Sequence, residues 1–203
     1  MAGVTAPASA RSRCYAARVF RCRLAEDSEL GILERRHAAE LFRAVDACRP
    51  HLRAWLPWVD ATRTVADSER FVADSLAQLA SNQSFHAGIW RGGELAGVIG
   101  YHPIDWPNRK TALGYWLAPA YEGKGLMTAA CRAFVDHAFD ELGLARIEIR
   151  CATQNVRSRA IPERLGFRQE GIARRAEWLY DHFVDLVTYA MLAGDWPRGS
   201  TVG

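Results

Sequence analysis

The sequence predicts an α+β fold, a sheet flanked by helices, and two observations carry the prediction. Strand-like runs with alternating side chains, residues 95–101 and 111–117, are interleaved with stretches at helical spacing, above all residues 126–142. The second observation is the order of segments between Leu113 and Phe167. A strand (Leu113-Gly114-Tyr115-Trp116-Leu117) leads into a glycine loop (Tyr121-Glu122-Gly123-Lys124-Gly125) and a long helix. A second strand (Arg146-Ile147-Glu148-Ile149-Arg150) then precedes Asn155-Val156-Arg157-Ser158 and Leu165-Gly166-Phe167. At 203 residues, 49% hydrophobic and 24% charged, one domain is expected over residues 15–196, with residues 1–14 as a flexible N-terminal arm and 197–203 as a flexible tail.

Each element has its own signal. Residues 15–24 alternate as a first strand, and residues 34–45 place Ala38, Leu41, Phe42 and Val45 at helical spacing, with Pro50 as the stop. His51-Leu52-Arg53-Ala54-Trp55-Leu56-Pro57-Trp58-Val59 reads as an aromatic-rich connection. Asp67 is the expected N-cap of a second helix whose apolar face is Phe71, Leu76 and Leu79. Strands 85–90 and 95–101 flank Arg91-Gly92-Gly93-Glu94, where Gly-Gly suits a two-residue hairpin that needs positive φ. Trp106-Pro107-Asn108-Arg109 is a turn. Residues 111–117 put Leu113, Tyr115 and Leu117 on one face and Ala112, Gly114 and Trp116 on the other. The helix 126–142 stops at Gly143, a strand ends at Cys151, a short helix spans 158–165, and strands 171–178 and 183–192 close the chain.

Composition excludes several classes. No run approaches the roughly 18 apolar residues of a membrane span, and residues 1–14 have no signal-peptide core, so a cytoplasmic protein is expected. Cys14, Cys22, Cys48, Cys131 and Cys151 are odd in number and scattered, which argues against both a disulfide framework and a zinc site. A net charge of +3 is too small to suggest direct nucleic-acid binding. Lys110 and Lys124 are the only lysines, so one of them sits inside the glycine loop.

A loop of backbone N–H groups that opens directly onto a helix is a place to hold a pyrophosphate. Gly123 and Gly125 free the backbone to fold tightly, Lys124 can place a cation nearby, and the amides of residues 123–128 can point at phosphate oxygens, helped by the helix dipole. Alone, the loop is as readily a plain turn before a helix. It is neither the nucleotide P-loop nor a dinucleotide fingerprint.

The whole constellation is more specific. Gly114-Tyr115-Trp116-Leu117-Ala118-Pro119, then Gly123-Lys124-Gly125-Leu126-Met127-Thr128, then Asn155-x-x-Ser158 and Leu165-Gly166-Phe167 resemble the GNAT superfamily of acetyl-CoA-dependent N-acetyltransferases. Over residues 16–196 the chain looks most like the branch that acetylates serine or alanine N-termini of ribosomal proteins, and His51-Leu52-Arg53-Ala54-Trp55-Leu56-Pro57-Trp58 adds to that likeness. The resemblance implies a mixed, mostly antiparallel central sheet that splays between its two central strands. It implies acetyl-CoA as cosubstrate, no metal, and direct transfer of the acetyl group to a primary amine, first of all a protein N-terminus. It also implies cofactor contacts from Leu117, Glu122, Gly123, Lys124, Gly125, Leu126, Met127, Thr128, Asn155 and Ser158, and in many members a homodimer.

The same resemblance assigns the base to Glu177, acting through water, and the acid to Ser158. Many members use a tyrosine seven residues after the motif asparagine, and that position here is Pro162, which has no proton to give. Two positions depart from the superfamily pattern, Glu122 and Met127. Contacts from the main chain tolerate Met127, whereas the Glu122 carboxylate must turn away from a pyrophosphate. The chemistry favours α-amines, because at reference pKa values an N-terminus is neutral a few hundred times more often than lysine near pH 7.

Without the family, each of these residues has a plainer role. A glutamate on a late strand is usually solvated, and a serine opening a helix is often only its N-cap. Trp55 and Trp58 are either core aromatics or walls of an acceptor cleft, and His102 and His182 read as turn or surface histidines. Two further functions share the cofactor residues: an acetyltransferase that detoxifies an amine-bearing antibiotic or small molecule, and a non-catalytic acyl-CoA sensor.

Overall fold

The computed structural model describes residues 21–197. The expected arm 1–14, residues 15–20 of the first expected strand, Cys14 and the tail beyond Pro197 lie outside the described residues. Eight strands form one sheet in the order β1-β2-β3-β4-β5-β6-β8-β7. They are β1 Arg21–Ala25, β2 Ser28–Ile32, β3 His86–Arg91, β4 Glu94–Tyr101, β5 Lys110–Leu117, β6 Arg146–Ala152, β7 Arg168–Leu179 and β8 His182–Leu192. Every neighbouring pair is antiparallel except β5 and β6.

Five α-helices cover the sheet: α1 Ala38–Ala47, α2 Arg49–Arg53, α3 Val65–Ala80, α4 Leu126–Asp140 and α5 Val156–Arg164. α1 to α3 pack on one face, around Leu41, Val45, Leu52 and Val72 against Leu95 and Val98 of β4. α4 packs on the other, burying Ala130, Cys131, Phe134, Val135 and Ala138 against Ile99, Tyr101, Ile147 and Ile149. Strand alternation explains the sharing, since successive residues of β4 and β5 serve opposite cores.

Several local expectations need correction. The sequence does not predict β2: its Ser28 and Leu30 are buried, but a five-residue strand with Gly31 is a weak pattern. Pro50 does not simply end a helix, because it stands in the first turn of α2, where its missing N–H costs nothing. A 3-10 turn, Arg35–His37, precedes α1. Asp67 is not the N-cap of α3: Thr64 is, and Asp67 closes the capping box by accepting from Thr64 N–H at 2.7 Å. The buried face of α3 is Ser68, Val72 and Ser75, with Phe71 38% exposed. The last strand, β8, is inserted between β6 and β7, so β7 is the sheet edge.

Candidate active site

The site is built around a gap in the sheet. β5 pairs with β4 from Tyr101↔Leu113 to Gly97↔Leu117, but with β6 only from Lys110↔Arg146 to Leu113↔Ile149. His102 N–H bonds to Ala112 O and Ala118 N–H to Ala96 O, so the even-numbered residues of β5 exchange hydrogen bonds with β4. The main-chain groups of Tyr115 and Leu117 therefore turn toward β6, beyond its last pair with β5. A bulge in β4, where Ile89↔Gly97 is followed by Trp90↔Leu95, bends the strand at the same level. A cleft of about 1500 Å3 passes through this splay and is lined from both sides of the sheet.

On the α4 side the glycine loop forms the rim. Gly123 and Gly125 have φ of 73° and 74°, and a β-carbon at either would meet nothing within 4 Å. The backbone angle, not crowding, selects glycine, and it leaves a bare cradle in front of the first-turn amides of α4. Leu126 and Met127 are buried in the core, so the departure at Met127 leaves the main chain free to face the cleft. The Glu122 carboxylate lies 2.9 Å from His51 Nε2 and also pairs with Arg157, which neutralises it. Lys124 does not offer its cation to the amides, because Nζ donates to Ala120 O at 2.8 Å. Instead Arg164, which donates to Thr128 Oγ1 at 2.9 Å, and Arg132 line the cleft here. The cradle and its arginines suit the diphosphate of coenzyme A.

Deeper in, Asn155 is the N-cap of α5, with Oδ1 accepting from Ser158 N–H at 3.1 Å, so Ser158 stands in the first turn and is not the cap. Its hydroxyl is thereby free for another partner. Ser158 Oγ donates to Tyr115 OH at 3.3 Å, and Tyr115 OH donates to Ser158 O at 3.2 Å. Burial holds the Tyr115 phenol well above its usual range, so it stays neutral and keeps its proton. The sequence places Tyr115 on a strand face and in the first motif run but gives it no role of its own; what makes it a site residue is the splay, which no local pattern encodes.

The other side of the sheet supplies the acceptor walls. Trp55 and Trp58 are half-buried and line the cleft, and Trp58 also packs 6.5 Å from Trp116, so wall and core roles coincide. Glu177 arrives through an irregularity: Ala173↔Leu186 is followed by Glu177↔Val184, which loops out residues 174–176 of β7. Arg175 has φ of 50° there, and its N–H donates to Asp185 Oδ1 at 2.7 Å. Glu177 is half-buried on the cleft wall, where burial raises its pKa against the opposing pull of Arg150. Trp178 turns outward against Phe183, 4.7 Å away, and Tyr180 OH donates to Leu56 O at 2.6 Å.

Two histidines complete this wall. His86 Nδ1 lies 3.1 Å from Ser75 Oγ, and burial pushes its pKa down to about 4. A β-carbon on Gly100 would stand 2.2 Å from the His86 ring, and one on Gly114 3.0 Å from His102 Nε2. The paired glycines Gly100↔Gly114 thus make room for both rings over the sheet. His102, expected as a turn or surface residue, follows β4 and lines the cleft, with burial and the Arg150 charge lowering its pKa. His182 is exposed and pairs with Asp181.

A mixed sheet split between parallel β5 and β6, with a glycine loop and helix N-terminus at the split, defines an enzyme that transfers a group from a diphosphate-bearing carrier. The model of the GNAT acetyltransferase domain matches residues 30–168, and the chain belongs to that family. It is an N-acetyltransferase whose cosubstrate is acetyl-CoA. A putative ribosomal N-acetyltransferase of Bacillus subtilis, YdaF, is 37% identical over 88% of this chain and 98% of its own length. The ribosomal-protein-serine acetyltransferase of Escherichia coli is 26% identical over 84% and 95%. Mycobacterium smegmatis RimJ, solved with a coenzyme A disulfide, superimposes with a TM-score of 0.79 at 27% identity, covering 84% of each chain.

Proposed function

We propose that the chain acetylates the N-terminal α-amino group of a protein, a ribosomal protein first among the candidates, by direct transfer from acetyl-CoA. The observation that carries the reading is the single cleft through the splay, which has Glu177 and the two tryptophans on one side of the sheet and Ser158 with the α4 cradle on the other. Relatives of similar length named as ribosomal acetyltransferases support the acceptor class.

Acetyl-CoA supplies an activated thioester carbonyl. The amides of residues 123–128 hold its diphosphate, Asn155 orders the first turn of α5 beside it, and Leu117 N–H donates to the carbonyl oxygen. Glu177, through a water, takes the proton of the attacking amine, and Ser158 Oγ gives one to the departing sulfur. Tyr115 accepts from Ser158 Oγ and orients that hydroxyl, and the proton that Ser158 gives up is restored from solvent. Trp55 and Trp58 wall the acceptor and keep bulk water from the thioester. The protein works in the cytoplasm, and two copies associate through the β7 edge, where Ile172 and Trp178 are exposed.

The test is incubation with acetyl-CoA and panels of free-amine peptides and aminoglycosides, reading thiol release. Turnover of peptides is expected. Turnover of aminoglycosides alone would point to detoxification, and silence on both with coenzyme A bound would point to a sensor. Failure of the folded protein to bind coenzyme A would remove the basis of the mechanism.

A further inference from the structure

Arg146, Glu148 and Arg150 alternate with the buried Ile147, Ile149 and Cys151 along β6, so all three rise on the same face of the sheet. Arg146 is fully engaged: Nε donates to Glu148 at 2.9 Å and both terminal nitrogens bond Glu170. Arg150, four residues on, lines the acceptor side of the cleft, and among the described residues no hydrogen bond or ion pair holds its guanidinium. The charged or titratable groups it acts on are Glu177 and His102, both on the cleft wall. The Arg150 side chain is exposed at the cleft wall, so its unpaired guanidinium has donors open to an incoming ligand, and its fork matches a carboxylate.

We propose that Arg150 is the specificity anchor of the acceptor site, binding a carboxylate carried close to the amine that is acetylated. The inference rests on the acceptor being a peptide α-amine, and it narrows that class to peptides with an acidic residue next to the N-terminus. Glu177 and Arg150 then form a pair of opposite charges that reads an amine and a nearby carboxylate together. A polyamine is disfavoured, because its second cation meets Arg150 instead of a carboxylate. The same positive charge favours the neutral form of the bound amine, which is the nucleophile.

The experiment compares peptides that differ only at the second residue, aspartate, asparagine or lysine, and reads the ratio of kcat/KM values by thiol release. Wild type is expected to prefer aspartate over asparagine by about 10-fold, the scale of one charge-assisted hydrogen bond. Arg150→Gln collapses that ratio toward one, Arg150→Glu inverts it in favour of lysine, and Arg150→Lys keeps a reduced preference. Coenzyme A affinity and thermal midpoint show that each variant is folded. If peptides are silent but small amines with and without a carboxylate show the same Arg150-dependent ratio, the anchor stands and the peptide reading falls. A wild type with no preference for the acidic acceptor in either set, or a preference that survives Arg150→Gln, overturns the assignment.

Discussion

Tyr180 OH donates to Leu56 O at 2.6 Å, joining two residues 124 positions apart. Arg53 stacks over the same ring, 3.8 Å from its centroid. The hairpin that carries Glu177 is thereby fastened to the segment that carries Trp55 and Trp58, so the wall of the acceptor site is one assembly built from both ends of the chain. Tyr180→Phe keeps the ring under Arg53 and removes only the hydroxyl. Loss of one hydrogen bond of about 1 kcal/mol is expected to raise acceptor KM about 5-fold, with little change in coenzyme A affinity, as steady-state kinetics and calorimetry will read.

Glu177 should show opposite effects on activity and stability. Its pKa is raised by burial, so the acidic limb of kcat/KM is expected above the ordinary carboxylate range, and Glu177→Gln should lower turnover by about 10² or more. For stability, a native carboxyl that binds its proton more tightly than the unfolded one makes folding weaker as pH rises through the raised pKa. At pH 7 the wild type therefore carries an ionised, half-buried carboxylate at a cost. Glu177→Gln is expected to melt higher than wild type at pH 7, with the advantage shrinking toward pH 4.

Ser158 and Tyr115 are expected to act as a unit. If the Ser158 hydroxyl is the proton donor and Tyr115 orients it, Ser158→Ala and Tyr115→Phe each lower kcat, and the double variant is scarcely worse than Ser158→Ala alone. Independent, additive losses would assign the two hydroxyls separate roles. Because the Tyr115 ring is packed in the α4 core, the phenylalanine variant removes only the hydroxyl and keeps the packing.

What the sequence made legible was local. Gly92-Gly93 read as a hairpin because positive φ at both residues, 58° and 84°, selects glycine, and Gly125 marked the start of α4 for the same reason. Thr64 and Asp67 belong to one capping box, and the sequence does not say which of them opens the helix. The insertion of β8 between β6 and β7 is a matter of pairing between distant segments, which alternation cannot express. Glycine loop, Asn155 and Ser158 were visible as a motif, whereas Tyr115, His86 and Arg150 enter the site only because the strands splay and fold two faces of the sheet around one cleft. A cation beside the cradle need not face it: Lys124 Nζ turns to Ala120 O, a choice that the loop sequence does not encode.

Glu122 tests how the loop tolerates a carboxylate near a diphosphate. Arg157 of α5 pairs with it and His51 Nε2 of α2 lies 2.9 Å away, so the side chain braces the rim while its carboxylate stays near the anion site. Glu122→Gln removes the charge and releases two basic side chains, and coenzyme A is expected to bind a few-fold tighter at low ionic strength. The gain should fade as salt is raised, because exposed charges are screened within about 10 Å at 0.1 M. Titration calorimetry at two salt concentrations separates this from a change in loop shape, which would persist at high salt.

His86 gives the fold a predictable weakness in acid. Its ring is half-buried beside Ser75 and His102, with a native pKa of about 4 against an ordinary value of 6.5, so the unfolded chain takes up a proton that the native chain resists. The stabilisation this difference supplies is complete above about pH 6.5, declines as pH falls from there toward 4, and changes little below. His102, whose pKa is also lowered, adds to the slope in the same direction. Urea midpoints measured at half-unit steps from pH 7 to 4 should fall continuously in wild type. His86→Gln, which keeps a polar partner for Ser75 but cannot titrate, should start lower at pH 7 and lose less on the way to pH 4. Parallel curves for the two proteins would mean that other groups, not this histidine, set the acid limit.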